Sequence, residues 1–250
     1  MLDASETWQW LAHRGDTENY PENTWPALEA AMQGGITSIE FDLQVSRDGV
    51  PVLLHDLNLQ RTAGANIDAT TLDADVLRQV DVGEFERLGH AYQPTMIITL
   101  AEAVERLTDW SDVHCFVEIK SESGEVHGID TITRRVVDEI GPILGHATVI
   151  SFSERVVLTA RRAGAPLVGW CLDYYDEDAQ RLADAIAPDV LLCAQQDLLG
   201  TEAPLWPGPW EWASWEVRDL ALARRLIDKG VTYIESMHCL RLEAERRAAT

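Results

Sequence analysis

The sequence predicts an α/β fold, specifically a (β/α)₈ barrel, on three observations. Apolar, β-prone runs alternate with amphipathic helical stretches along the chain, and eight of those runs read as parallel strands. No Gly-x-Gly-x-x-Gly follows any of them, so the main mark of an open doubly wound sheet is missing. Charged residues sit at the ends of several apolar runs, where a barrel gathers its functional groups. With 250 residues, 46% of them hydrophobic, one sizeable core can be filled, and the expectation is a single barrel domain over residues 1–250.

The first strand ends in Trp10-Leu11-Ala12-His13-Arg14-Gly15. After a loop over 16–23, an amphipathic helix runs from about Thr24 to Gly34. Pro26 lies in its first turn, where a missing N–H costs little, and Gly34-Gly35 stops it. The second strand ends near Asp42 and continues into a hairpin, because Asp48-Gly49 separates two β-prone runs. Antiparallel return brings His55 within about two residues of facing Asp42. Glu40 and Asp42 are two apart and project from one face of the strand.

Residues 57–98 read as irregular, with one short helix near Leu72–Val80, and are expected to shape the rim. Helix and strand then alternate. Helix Leu100–Leu107 precedes strand Val113–Ile119, and helix His127–Ile140 precedes strand Thr148–Ser151. Helix Glu154–Ala163 precedes strand Leu167–Leu172, and helix Glu177–Ala187 precedes strand Val190–Cys193. Strand Glu211–Val217 follows a Pro-rich stretch, and helix Leu220–Lys229 precedes strand Val231–Glu235.

Composition excludes several partners. A formal net charge of -22 disfavours nucleic acid and anionic membrane surfaces. No run is apolar enough to span a bilayer, and Met1-Leu2-Asp3-Ala4-Ser5-Glu6 lacks the pattern of a secretion signal, so a cytoplasmic protein without membrane insertion is expected. Oligomeric state is not readable. Cys115, Cys171, Cys193 and Cys239 lack metal-ligand spacing and read as free thiols. Lysine occurs only at Lys120 and Lys229, which fits either a salt-adapted acidic surface or a GC-rich genome.

A second acidic strand end, Phe116-Val117-Glu118-Ile119-Lys120, suggests a site shared with Glu40 and Asp42. At about 4 Å spacing, each carboxylate pair would cost roughly 4 kcal/mol at an effective dielectric near 20. Three such pairs approach the whole stability of a domain, about 5–15 kcal/mol. Either a cation balances them, with all-oxygen ligation pointing to Mg²⁺, Ca²⁺ or Mn²⁺, or some stay protonated. The alternative is a buried ion network in which Glu118 pairs with Lys120 or Arg14. A hard cation beside Arg14 and Lys120 suits a phosphate ester. His13 and His55 supply a base for an attacking hydroxyl and an acid for a leaving alkoxide.

The segments Ala12-His13-Arg14-Gly15, Pro21-Glu22-Asn23-Thr24, Ile39-Glu40-Phe41-Asp42, Asp48-Gly49 with His55-Asp56, Arg61-Thr62 and Val117-Glu118-Ile119-Lys120 resemble, in order and spacing, the glycerophosphodiester phosphodiesterase family. The resemblance is strongest over about residues 10–120. It implies a TIM-type barrel that cleaves small-molecule glycerophosphodiesters to sn-glycerol 3-phosphate and an alcohol. His13 and His55 then match the acid–base pair, Glu40, Asp42 and Glu118 the cation ligands, and Arg14 and Lys120 the phosphate contacts. Glu22 matches a supporting glutamate, expected to orient a histidine. In that family a substrate glycerol hydroxyl is thought to attack first, giving a cyclic phosphate that water opens.

The C-terminal half departs from the family pattern. Trp215-Glu216-Val217-Arg218 stands where Trp-Thr-Val-Asn is common, and Gly230-Val231-Thr232-Tyr233-Ile234-Glu235-Ser236 replaces Gly-Val-Asp-Gly-Ile-Ile-Thr-Asp. Arg218 and Glu235 are therefore expected at the mouth. The cluster Trp206, Trp210, Trp212 and Trp215 reads either as packing or as an aromatic wall for the alcohol. A lysophospholipase D acting on lipids, a metal-dependent barrel lyase or aldolase, and a non-catalytic phosphate-ester binder are the competing readings.

Overall fold

The structure, a computed structural model, describes residues 8–249. Met1–Glu6, read above for a secretion signal, lie outside the described residues. Among those described, nine strands make one sheet that closes on itself. In chain order they are β1 (Gln9–Ala12), β2 (Ser38–Val45), β3 (Pro51–Leu53), β4 (His114–Ile119), β5 (Ala147–Ser151), β6 (Leu167–Cys171), β7 (Val190–Ala194), β8 (Glu211–Trp215) and β9 (Tyr233–Ser236). All but β3 pair in parallel, and the barrel closes where β1 lies between β2 and β9, with Leu11 opposite Glu235. Because both faces of a barrel strand are covered, all eight residues of β2 are buried.

Alternation along each strand sorts the side chains. Ile39, Phe41 and Leu43 of β2, with Val117 and Ile119 of β4, join the apolar layer beneath the helices. Leu11, Phe116, Ile150, Cys171, Leu192 and Ala213 fill the barrel interior. The period of two therefore turns Glu40 and Asp42 inward, above that interior layer. β3 runs antiparallel to β2 with Leu43 opposite Leu53, and the Leu54 N–H donates to the Asp42 carbonyl at 3.0 Å.

The segment 57–98 is more ordered than its sequence suggests. Short helices at Gln60–Ala63, Ala74–Leu77 and Phe85–Leu88 surround their own buried cluster of Leu54, Leu59, Leu77, Val82 and Ile97. Apolar residues spaced for a small satellite core lack a helical period, which is why they read as loop. The predicted helix 127–140 is divided at Gly128, whose φ of +82° breaks it into Gly124–His127 and Ile129–Glu139. β8 stops at Trp215 because Glu216 turns to φ +37°. Helices Gln195–Leu199 and Cys239–Ala248 were not expected from the sequence. All four cysteines are buried and free. Among the described residues, no helix is long and apolar enough to cross a membrane.

One glycine fixes how the first strand enters the site. Gly15 has φ +86°, and a Cβ there would lie 2.5 Å from the Ala27 carbonyl carbon and 2.7 Å from the Leu28 nitrogen. Both are backbone atoms of a packed helix and cannot yield. Gly15→Ala should therefore destabilise the protein by more than about 1 kcal/mol, combining left-handed strain with overpacking. Thermal denaturation checks this, and an unchanged midpoint would contradict it.

Candidate active site

Barrel strands and the residues just beyond their ends deliver His13, Arg14, Glu40, Asp42, Glu118, Lys120 and Glu235 to the barrel mouth. Parallel register between β2 and β4 sets Asp42 directly beside Glu118, with Glu40 beside Phe116 one step below. β1 ends one residue before His13, whose N–H donates to the Ser236 carbonyl at the end of β9. Arg14 follows at φ +57°, and its N–H donates to Glu40 Oε2 at 3.0 Å. Backbone geometry after β1 and a carboxylate on β2 are thus locked together.

Arg14 lies at the centre of an ion network. Its Nε is 3.0 Å from Asp42 Oδ2, and Nη1 is 3.1 Å from Glu22 Oε1. Lys120 Nζ reaches both Glu118 Oε1 at 2.6 Å and Asp42 Oδ1 at 2.8 Å. The buried pairing of Glu118 with Lys120, raised above as an alternative to cation binding, is present. It does not balance the site: Glu22, Glu40, Asp42, Glu118 and Glu235 are all buried and outnumber Arg14, Lys120 and Arg61. Glu40 is only partly compensated, since its Oε1 is buried without a hydrogen-bond partner.

The oxygens of Glu40, Asp42 and Glu118 lie within 4.8 Å of one another, as do ligand atoms of His13, Glu40 and Glu235. The first set, with its orphaned oxygen, fits an oxygen-loving divalent cation. Electrostatics agree. Burial, then Asp42 and Glu235, push the Glu40 carboxyl well above its usual range. Burial and Asp42 push Glu118 up to about 7 against the pull of Lys120. Burial also acts on Asp42, but Lys120 and Arg14 overcome it and hold that carboxyl well below the ordinary range.

The two histidines occupy different surroundings within one cavity of about 190 Å³, whose walls also include Arg14, Glu118, Lys120 and Glu235. His13 is buried, with Nε2 4.0 Å from both Glu40 Oε2 and Glu235 Oε1 and with Nδ1 unpartnered. Burial, then the neighbouring Arg14, lower its pKa well below the ordinary value. His55 is half-buried, its Nδ1 2.6 Å from Asp56 Oδ1. Gln44 donates from Nε2 to the His55 carbonyl at 2.8 Å, fixing its backbone to the barrel.

Glu22 touches no histidine, contrary to expectation. It grips Arg14 and accepts two bonds of 2.7 Å from Arg61, whose Nε donates to Asp56 at 2.7 Å. Arg61 and Asp56 thereby carry its influence to His55 indirectly. Asn23, quoted in a motif without a role, clamps Asp42: its Nδ2 donates to Oδ2 at 2.8 Å while its Oδ1 accepts from the Asp42 N–H at 2.9 Å.

Glu235 is the residue that the ligand assignment passed over. It is 4% exposed, and burial and Glu118 push its carboxyl up to about 8. A charged side chain closing an apolar strand was the signal available, the same one that marked Glu118. Arg218 is not among the cavity walls and pairs loosely with Glu216 at 3.5 Å. Of the tryptophan cluster, Trp206 stacks on Tyr175 at 4.2 Å, and Trp210 and Trp212 are buried in the outer apolar layer. Only Trp215 of the four faces the cavity.

Known proteins resemble this chain in sequence and in fold. A Caldanaerobacter subterraneus glycerophosphodiester phosphodiesterase is 31% identical over 150 residues, which cover 60% of this chain and 56% of that protein. The human glycerophosphodiester phosphodiesterase 1 is 27% identical over 158 residues, 63% of this chain and 46% of its own. The matches therefore span about half the length of these curated relatives. Among solved structures, an Oleispira antarctica phosphodiesterase in complex with the product sn-glycerol-3-phosphate superposes with TM-score 0.79 at 22% identity, covering 96% of both chains. A Parabacteroides distasonis glycerophosphodiester phosphodiesterase gives TM-score 0.80 at 18% identity, covering 98% of each. Those likenesses establish the shared barrel. The sequence model of the glycerophosphoryl diester phosphodiesterase family matches residues 13–196, most of the chain, and the chain belongs to that family.

Proposed function

We propose that this chain, acting as one barrel unit, hydrolyses glycerophosphodiesters to sn-glycerol 3-phosphate and an alcohol. His13 and His55 form its acid–base pair, and Glu40, Asp42 and Glu118 hold a divalent cation, Mg²⁺ or Ca²⁺ or else Mn²⁺. The observation that carries the reading is that both imidazoles open on the cavity walled by Arg14, Lys120 and Glu118. The product named in the Oleispira antarctica complex supports the same substrate class.

The protein's own groups divide the work. Arg14 and Lys120 attract the phosphate and fix it at the mouth. His13, neutral because it is buried beside a cation, accepts the proton of the attacking hydroxyl. Asp56 engages Nδ1 of His55 and leaves Nε2 to deliver a proton to the departing alkoxide. Arg61 ties Asp56 to Glu22, so the ring direction is set by a network anchored to Arg14. When bound, a divalent cation supplies Lewis-acid polarisation of a phosphoryl oxygen.

A lipid-chain substrate is the second reading. A mouse lysophospholipase D is 47% identical over 66 residues, 26% of this chain, and Ile150, Phe152, Leu192 and Trp215 give the cavity an apolar side. Release of glycerol 3-phosphate from water-soluble diesters, abolished by chelator, is the expected result. Turnover confined to lysolipids would select the second reading, and no diester cleavage with any cation would return the barrel to the lyase or binder readings.

His13→Ala and His55→Ala should each lower kcat about 10²–10⁴-fold with the fold intact by circular dichroism. Near-normal turnover would remove that histidine from the mechanism. Glu118→Gln should instead raise the cation concentration needed for half-maximal activity, and an unchanged metal titration would exclude ligation.

The raised carboxyls link stability to pH with a definite sign. Unfolding returns Glu118 and Glu235 from about 7 and about 8 to the ordinary 4.5, so the folded state holds extra protons between these values. Without a cation, stability should therefore fall as pH rises from about 6.5 toward 8, above the range where the depressed His13 and His114 act in the opposite sense. Added Mg²⁺ or Ca²⁺, which binds the ionised carboxylates, should reverse the loss at the upper end. Melting temperatures across this window, with chelator and with cation, test both halves.

A further inference from the structure

The far side of the cavity differs in character from the phosphate side. Phe152, just past β5, and Trp215, the last residue of β8, meet edge to face with centroids 5.7 Å apart. Both line the cavity, and Glu216 stands beside them. Glu216 holds φ +37°, in the region that favours glycine. An acidic side chain kept in a disfavoured backbone at a cavity wall points to use.

The opposite side of Phe152 is also acidic. There the groove continues past Glu122 and Asp173, with Ser121, Ser151 and Ser153 between them. Lys120 is the one basic side chain along that groove besides His55, and its ammonium is committed to Asp42 and Glu118. Arg218 meets Glu216 only at 3.5 Å, its side chain 72% exposed. An aromatic pair is thus flanked by carboxylates on both sides.

Resting on the proposed diester hydrolysis, the geometry points to a preference for diesters whose leaving alcohol is a cationic amino alcohol, with Glu216 as a specificity-determining residue. An ammonium within about 6 Å of a ring centroid is drawn by the ring quadrupole. Glu216, Glu122 and Asp173 add charge attraction, which salt screens. A neutral alcohol of the same shape receives neither contribution, and an anionic one is repelled.

The test compares glycerophosphocholine with its neutral carbon isostere, the 3,3-dimethylbutyl ester of glycerol phosphate. In the wild-type protein at low salt, kcat/KM should favour the choline ester about tenfold, the combined scale of one cation–π contact and one exposed ion pair. Glu216→Gln, at an exposed side chain, should shrink that ratio severalfold, mainly through KM of the choline ester. Half-molar salt should shrink it in the wild type and change it less in the variant. Equal use of both esters by the wild type would overturn the preference while leaving diester hydrolysis standing. An undiminished ratio in Glu216→Gln would remove Glu216 from the role. Glycerol 3-phosphate released from neither ester, with any cation, would overturn the hydrolytic reading and this preference together.

Discussion

Repulsion among buried carboxylates is the constraint around which this barrel mouth is built. Glu40, Asp42, Glu118 and Glu235 project from three strands into a space from which water is largely excluded. Burying ionised groups costs several kcal/mol each unless opposite charge accompanies them. Arg14 and Lys120 meet part of that cost by converging on Asp42, the one carboxylate held firmly ionised. Glu40 receives only a backbone N–H and a distant imidazole, and Glu235 only that imidazole, so the deficit falls on these two. A fold stabilised for its own sake would place apolar residues at these positions, as it does one residue away with Ile39, Phe41, Leu43, Val117, Ile119 and Ile234. The excess of negative charge is what an oxygen-ligated divalent cation at Glu40, Asp42 and Glu118 would neutralise.

A second constraint is placement of a histidine that no parallel strand supplies. The hairpin after β2 carries the chain back so that Leu54 bonds to Asp42, and His55 emerges next to the acids. The satellite core beneath residues 57–98 then gives Arg61 a fixed platform from which to hold Asp56 and Glu22. Glu84 from the same segment accepts the Glu22 N–H at 2.8 Å, tying the loop after β1 to the rim. What read as a long irregular connection is thus the scaffold that holds Asp56 beside His55.

The legible and illegible parts of the sequence divide along physical lines. Strand ends were legible because period-two alternation states which side chains share a face. Glu40, Asp42 and Glu118 therefore came together as expected, while Glu235 announced itself at the mouth without a partner. The barrel was legible from alternation alone. The network through Glu22, Arg61 and Asp56 was not, because it joins residues far apart in sequence by side-chain bonds that leave no periodic trace. Nor does composition say which of several tryptophans turns inward. Trp215 does so because it ends β8 on the inner face, whereas Trp212 lies on the outer one.

Closure of the barrel has a consequence for biosynthesis. β1 finds its second neighbour only in β9, and Trp10 Nε1 donates to Glu243 in the helix beyond it at 3.0 Å. The His13 N–H donates to the Ser236 carbonyl, so that histidine's backbone is anchored by the last strand of the sheet. A ribosome that has released only the first half of this chain has delivered the hairpin histidine and three of the acids. It has not delivered the staple that holds the other imidazole in place. The walls of the cavity that His13 and His55 share are therefore complete only once the final strand has docked.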